Sequence, residues 1–274
     1  MPNLNANFQI VIFSIGDTKA GTKMGKMQLK NVEDNNILNC ILWEEALNRI
    51  DPKMFRVGNI IHLKDAKYNE KFNNCLVSDL ELVCEAKLGL DEVEINTKYS
   101  QIIETINSMK DENIKKLALE TIEKYKDKFK KAPAAKLMHH NYIGGLLVHT
   151  LECVEYAKLL MPKLTGINSD ELLCALILHD IGKIFEYDID LETGLIEYNE
   201  EFKKDWLTHS QFGFTLCMEH NQKRIAKMIA AHHSRADWGA LIDLGEKDLE
   251  PFYYIVHHID DLSAKFGKIS INNL

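Results

Sequence analysis

The chain has 274 residues, of which 46% are hydrophobic and 27% charged. That is enough to bury a substantial core and to hold two domains, and it excludes collagenous, disordered and miniprotein classes. The formal net charge is −8, from 33 basic and 41 acidic residues, so a uniformly basic nucleic-acid-binding surface is excluded and any such contact has to be local.

Residues 1–84 carry short alternating apolar runs at 9–15, 26–32, 37–43, 60–65 and 74–83, separated by turn residues. Period-two alternation of this length predicts five strands. Asp34-Asn35-Asn36 predicts a hairpin turn, and 44–50 predicts a short helix ending before Asp51-Pro52. Five strands with a helix after the third is the element order of an OB-fold barrel, a fold that often binds single-stranded nucleic acid. Lys19, Lys23, Lys26 and Lys30 gather around the first hairpin, and Tyr68 and Phe72 are assigned to the loop between the last two strands. Lysines attract phosphates and aromatic rings stack on any base, so Lys26, Lys30, Tyr68 and Phe72 are candidate substrate contacts. The alternative is a solvated lysine face with Phe72 in the core. Trp43 is assigned to packing against the helix that follows it.

From about residue 100 the period becomes helical. Helices are expected at 101–109, 113–129, 145–160, 171–179, 209–217, 222–232 and 251–266, with one β-like interruption at 183–199 that turns at Glu192-Thr193-Gly194. The expected division is a barrel over 1–84, a helical connector over 85–137 and a mainly helical domain over 138–274. The fold class is α+β with two domains, the second all-α except for a small β-hairpin. A basic run in the connector, Lys124, Lys126, Lys128, Lys130, Lys131 and Lys136, either guides a nucleic-acid strand or is a solvated face.

The longest apolar stretch, 172–178, is far too short to span a bilayer, and the N-terminus has no basic segment followed by an apolar one. A cytoplasmic protein with no membrane partner is expected. Six cysteines are scattered without a CxxC pair, which fits reduced, mostly buried thiols.

Ten of the eleven histidines follow residue 138, most beside another histidine or an aspartate. In chain order they run His149, His179-Asp180, His209 and His232-His233, with Asp260 completing the series. Neutral imidazole and carboxylate are the donor set of catalytic Mn, Fe, Co and Zn sites, where separate helices each contribute one or two groups. His179-Asp180 ends a strongly apolar segment, where a buried carboxylate is costly without a partner. A cation supplies one. Asp180 has two oxygens with which to bridge two ions. Adjacent His232 and His233 point about 100° apart on a helix, so both reach one centre only if the helix ends there. Otherwise one binds metal while the other orients water or phosphate. On the last helix Asp260 lies toward the apolar stripe and is the better ligand, leaving Asp261 solvated or outside the ligand set. Lys183, one turn past the pair, either neutralises a phosphate oxygen or is a plain surface lysine, and His139 and His140, before Gly144-Gly145, either contact substrate or pack the entry of the helix.

His149, His179-Asp180 and Asp260, with Ile181-Gly182-Lys183 after the pair, resemble the HD-domain metal-dependent phosphohydrolases, and His209 with His232-His233 resembles the subset with two metals. Taken with the barrel, Pro133-Ala134-Ala135-Lys136, His139-His140, the segment Gly144 to Thr150, Ala231-His232-His233-Ser234 and the segment His257 to Lys265, the chain resembles the YhaM-type 3′-to-5′ exoribonucleases along nearly its whole length. Thr208 and Ser234 depart from the glycines common in that family.

The resemblance implies catalytic roles for Asp180 and Lys183, and divalent-metal ligands at His149, His179, Asp180, His209, His232, His233 and Asp260. It implies two ions, manganese first, with Fe, Co, Mg or Ni as alternatives. The expected substrate is single-stranded RNA, with single-stranded DNA a further candidate and a homo-oligomer left open. Two alternatives stand beside exoribonuclease action: hydrolysis of small nucleotides, and an RNA-binding module with a structural metal site.

Overall fold

The computed structural model describes residues 2–136, 140–191, 194–205 and 208–266. The chain divides into two compact units, 1–88 with 190–195, and 89–189 with 196–274.

The first unit is a closed barrel of strands β1 (Asn7–Asp17), β2 (Lys23–Asn31), β3 (Ile37–Trp43), β4 (Ile60–Asn69) and β5 (Asn74–Cys84), in the order β1-β2-β3-β5-β4. The expected five-stranded barrel is borne out. Helix α1 (Glu44–Arg49) follows β3. Neighbouring strands are antiparallel except β3 with β5, and β1 closes the barrel by pairing Asn7 to Gln9 with His62 to Ile60. Alternation along β2 and β3 sends Met27, Leu29, Leu38, Cys40 and Leu42 inward to a core shared with Phe8, Ile10, Ile61 and Val77. Lys26, Gln28, Lys30, Ile37, Asn39 and Ile41 lie on the opposite parity and line the outer face. Trp43, expected to pack against the helix that follows, is half exposed at 50% and ends the outward row of β3.

The second unit opens with α2 (Glu92–Asn107), α3 (Glu112–Lys124) and α4 (Lys126–Lys131), then α5 (Gly145–Leu160) and α6 (Ser169–Leu178). A turn of helix, α7 (Lys183–Glu186), runs into the hairpin β6 (Tyr187–Ile189) and β7 (Ile196–Tyr198). After it come α8 (Phe202–Asp205), α9 (His209–Glu219), α10 (Lys223–Ala231) and α11 (Phe252–Phe266). The expected small hairpin is present, though its first four residues are helical. The sequence reading set 85–137 apart as a connector; instead Ile102, Ile106, Leu117, Ile122 and Phe129 share one core with Leu146, Leu172, Ile229 and Val256. The apolar faces of α2 and α3 have no separate core to bury against, so they join this one.

Leu172 to Leu178 are all buried, which makes α6 the central helix of the unit. The Asn168 side chain caps it, accepting from the backbone N–H of Asp170 and Glu171. Its other end delivers His179 as C-cap, and then Asp180, into the interior. Among the described residues no helix is long and apolar enough to cross a membrane.

Candidate metal centre

Five helices bring the predicted ligands together. His149 stands on α5, His179-Asp180 at the end of α6, His209 at the start of α9, His232-His233 past the end of α10, and Asp260 on α11. All except Asp260 and His233 are buried to within 5% of full exclusion from solvent.

Asp180 lies between two imidazole clusters. Its Oδ2 is 3.4 Å from Nε2 of His149 and 3.4 Å from Nε2 of His179. Its Oδ1 is 3.2 Å from Nε2 of His209 and 3.7 Å from Nε2 of His232. Asp260 completes the first cluster, with Oδ1 3.2 Å from Nε2 of His149 and 3.9 Å from Nε2 of His179. His233 completes the second, its Nε2 lying 3.1 Å from Nε2 of His209.

In four of the five rings the other nitrogen is already engaged, whereas Nδ1 of His233 is buried without a hydrogen bond. Nδ1–H of His179 donates to the Leu176 carbonyl at 2.8 Å, and Nδ1–H of His232 to the Ile229 carbonyl at 2.7 Å. Carbonyls only accept, so in its neutral form each of these two rings carries its proton on Nδ1 and presents an unprotonated Nε2. Nδ1 of His209 meets the Glu186 carboxylate, and Nδ1 of His149 meets Ser263 Oγ at 2.9 Å. The Nε2 lone pairs therefore face carboxylate oxygens. Oδ1 of Asp180 and Nε2 of His232 are buried without a hydrogen bond, a costly arrangement of acceptors against acceptors. A divalent cation resolves it. Metal–ligand bonds of about 2.1 Å put neighbouring ligand atoms roughly 3.0–3.4 Å apart, close to the spacings found here. The donor set fits a metal.

Protons partly fill this role when no cation does. Burial opposes charge on His149, but Cys153, Asp180 and Asp260 outweigh it and hold the imidazole well above its usual range. Asp180 and Glu186 raise His209 against the same burial cost. Burial pushes His233 down to about 2, with His232 and His209 adding repulsion, and it also lowers His232. Burial opposes the ionised Asp180, yet Lys183 and His179 pull its carboxyl well below the carboxylate range. The Lys183 ammonium is 2.7 Å from Asp180 Oδ2.

Helix α10 stops at Ala231, with His232 as its cap and Ser234 at φ +62°. That break turns both histidines inward, meeting the condition under which both reach the centre. Thr208 caps α9, its hydroxyl accepting from Gln211 N–H. Gly182 is required where it stands: a Cβ there would lie 2.6 Å from the His209 carbonyl. Asp261 pairs with Lys265 at 3.0 Å near the surface.

The remaining predicted contacts fall elsewhere. His139 lies outside the described residues. His140 is only 4% exposed and both ring nitrogens are taken, by Tyr142 and Glu152 at 3.0 Å each, so the expected substrate contact is corrected to an internal one. In the barrel, Lys26 and Lys30 point outward on β2. Tyr68 belongs to β4 rather than the loop, half-buried on the core, and its hydroxyl donates to Asn73 at 2.5 Å. Phe72 is 64% exposed in the β4–β5 turn, with the Lys71 ammonium 5.4 Å from its ring centre. No hydrogen bond or ring contact joins Lys26 or Lys30 to Tyr68 or Phe72.

Sequence reasoning missed Glu152, Ser263, Glu186 and Cys153. The first three stand three residues after His149, Asp260 and Lys183, one helical turn on the same face, and that spacing was the available signal. Cys153 Sγ is 3.8 Å from His149 Nε2, its thiol pushed up by burial.

A family model described as HD domain matches residues 146–265, the part of the helical unit that carries the paired His/Asp centre. A second model, described as a putative helicase, matches residues 93–169. Among curated proteins the chain is similar to the 3′-5′ exoribonuclease YhaM of Geobacillus sp. (strain WCH70), 31% identical over 178 residues, which cover 62% of this chain and 52% of that protein. It is 28% identical over 179 residues to the protein of the same name from Bacillus velezensis, covering 62% and 54%, and 26% identical over 221 residues to that of Bacillus subtilis (strain 168), covering 77% and 68%. These relatives bear out the resemblance to the YhaM type. The match spans about half the length of the first two. No solved structure matches significantly.

Proposed function

We propose that this chain hydrolyses single-stranded RNA from its 3′ end, releasing nucleotides, with two divalent ions held in the His/Asp centre, manganese first among them. The carrying observation is Asp180, whose two oxygens face separate imidazole clusters at 3.2–3.7 Å. In this reading His149, His179 and Asp260 hold one ion, His209, His232 and His233 the other, and Asp180 both. When bound, such ions polarise a phosphate and acidify water near neutral pH. Lys183 then exchanges its Asp180 contact for a non-bridging phosphate oxygen, neutralising charge that grows as the bond breaks. Buried helices around the centre exclude bulk water and keep those electrostatic interactions strong.

The substrate class is supported by the names of the relatives and by the barrel. The outer face of β1, β2 and β3 sets Ser14, Lys26 and Ile41 in one cross-strand row and Gln9, Lys30 and Ile37 in another. Exposed Trp43 ends this face with a stacking surface, and the composition matches what single strands need: cations for phosphate and flat apolar groups for bases. Single-stranded DNA remains within reach of the same chemistry, and the cytoplasmic location expected from the sequence agrees with six free cysteines, five of them buried.

The test is incubation with Mn²⁺ and either a 5′-labelled oligoribonucleotide or a panel of small nucleotides. Stepwise shortening from the 3′ end is expected. Turnover of free nucleotides alone would establish the small-nucleotide alternative, and binding without turnover would establish an RNA-binding module with a structural metal.

A further inference from the structure

We propose that Glu152 is a positioning residue for the cation site: through Ser263 it fixes the ring of His149 in the tautomer that leaves Nε2 free for metal, and His140 holds the carboxylate in place. The inference deepens the function proposed above and rests on reading the His149 cluster as a metal site.

The argument is one of donor and acceptor direction. The Ser263 hydroxyl donates to Glu152 Oε2 at 2.7 Å. A hydroxyl has one proton, so the same oxygen meets His149 Nδ1, 2.9 Å away, as an acceptor. His149 therefore carries its proton on Nδ1. Were the serine proton turned toward His149 instead, Nε2 would hold the hydrogen and the ring would lose its ligating lone pair. An ionised carboxylate accepts only, and that is what forbids the reversal. His179 and His232 obtain the same assurance from backbone carbonyls, which no side-chain substitution removes. His149 depends on a side-chain relay.

His140 extends the relay. Its Nε2–H donates to Glu152 Oε2 at 3.0 Å, while Nδ1 accepts from the Tyr142 hydroxyl, also at 3.0 Å. Every proton in the chain from Tyr142 and from His149 thus points toward one carboxylate. The backbone is shaped to deliver His140 there: its φ is +54°, a conformation uncommon outside glycine. A Cβ at Gly145 would stand 1.9 Å from the His140 carbonyl oxygen, so the glycine before the His149 helix makes room for the turn. Strain at a buried, internally bonded histidine fits a role in holding the site.

Calorimetric titration of Mn²⁺ into the chelator-treated full chain tests this with wild type, Ser263→Ala, Glu152→Gln, the double variant and Ser263→Thr. Each of the first two changes is expected to weaken binding at one of the two ion sites by roughly 10- to 100-fold. The double variant is expected to lose no more than the worse single one, because both cut the same relay, and Ser263→Thr should recover most of the affinity. Should Glu152→Gln not fold, Ser263→Ala against Ser263→Thr carries the same comparison. Unchanged affinity in the single variants, or losses that multiply in the double variant, would overturn the inference. No Mn²⁺ binding by the wild type would instead overturn the metal reading beneath it.

Discussion

Asp180 Oδ1 lies 3.2 Å from Nε2 of His209, while the other oxygen of the same carboxylate turns to Nε2 of His149. The two histidines stand on helices 60 residues apart in sequence, and the one carboxylate that both reach comes from the end of a third, central helix. If Asp180 is the shared ligand, Asp180→Asn should lower turnover of an oligoribonucleotide by at least about 10³-fold, since a neutral amide cannot bind two cations. RNA affinity measured by fluorescence anisotropy should change by less than about twofold. Turnover within tenfold of wild type would remove Asp180 from the shared position.

Metal loading should stabilise the chain by mass action. A ligand at 100 times its dissociation constant contributes about 2.7 kcal/mol per site, which corresponds to roughly 5–10 °C in Tm for a unit of this size. Scanning calorimetry with increasing Mn²⁺ should show Tm rising with the logarithm of concentration, and excess chelator should reverse it. A Tm that ignores Mn²⁺ would count against the site.

Binding should weaken as pH falls. The imidazole of His149 is raised above its usual value by Cys153, Asp180 and Asp260, and that of His209 by Asp180 and Glu186, in each case against the cost of burial, so in the metal-free protein they keep a proton to higher pH than free histidine does. A metal must displace that proton. Mn²⁺ affinity should therefore fall steeply below neutral pH and level off above the raised values. His233, pushed down to about 2, adds nothing to the slope over this range. Affinity constant between pH 5.5 and 8.5 would contradict the assignment.

Gly182→Ala should damage the centre without replacing any ligand residue. The added Cβ would lie 2.6 Å from the His209 carbonyl and 2.7 Å from its Cα, and backbone atoms cannot swing aside as a side-chain tip can. A loss of about 1–3 kcal/mol in stability is expected, together with weaker Mn²⁺ binding, read by denaturant unfolding and calorimetry. Wild-type values in both would show that the packing at this point is looser than the contact distances indicate.

Lys26→Glu with Lys30→Glu should raise KM for a long oligoribonucleotide and leave action on a short phosphodiester nearly unchanged. Each removed phosphate contact should also flatten the salt dependence of RNA affinity by about one unit of slope. Equal effects on both substrates would argue that the outer face of the barrel has no part in holding RNA.

How much of this was legible in the sequence varies with the type of signal. The barrel strands follow period-two alternation and were placed to within a few residues, because one face of each is buried and the other is not. Helix α5 was read to the residue, since Gly144-Gly145 marks its start. Helix α2 begins nine residues earlier than its apolar period shows: the capping box of Asp91 and Glu94 starts it in a polar first turn. Helix α3 ends at Tyr125, where the backbone leaves the helical region at φ −108° and ψ 15°, and nothing in the local composition announces the break. The candidate ligands were legible because histidines and aspartates are rare in apolar helices. Glu152 and Ser263 were not, because their meaning comes from contacts more than 100 residues apart along the chain.

The central claim, that two clusters flank one carboxylate as a pair of cation sites, is tested most directly by a crystal structure of the Mn²⁺-loaded protein with anomalous scattering. Two manganese peaks are predicted, one between Asp180, His149, His179 and Asp260 and the other between Asp180, His209, His232 and His233. Peaks that leave Asp180 out of the coordination of either ion, or no peak among these residues, would contradict it.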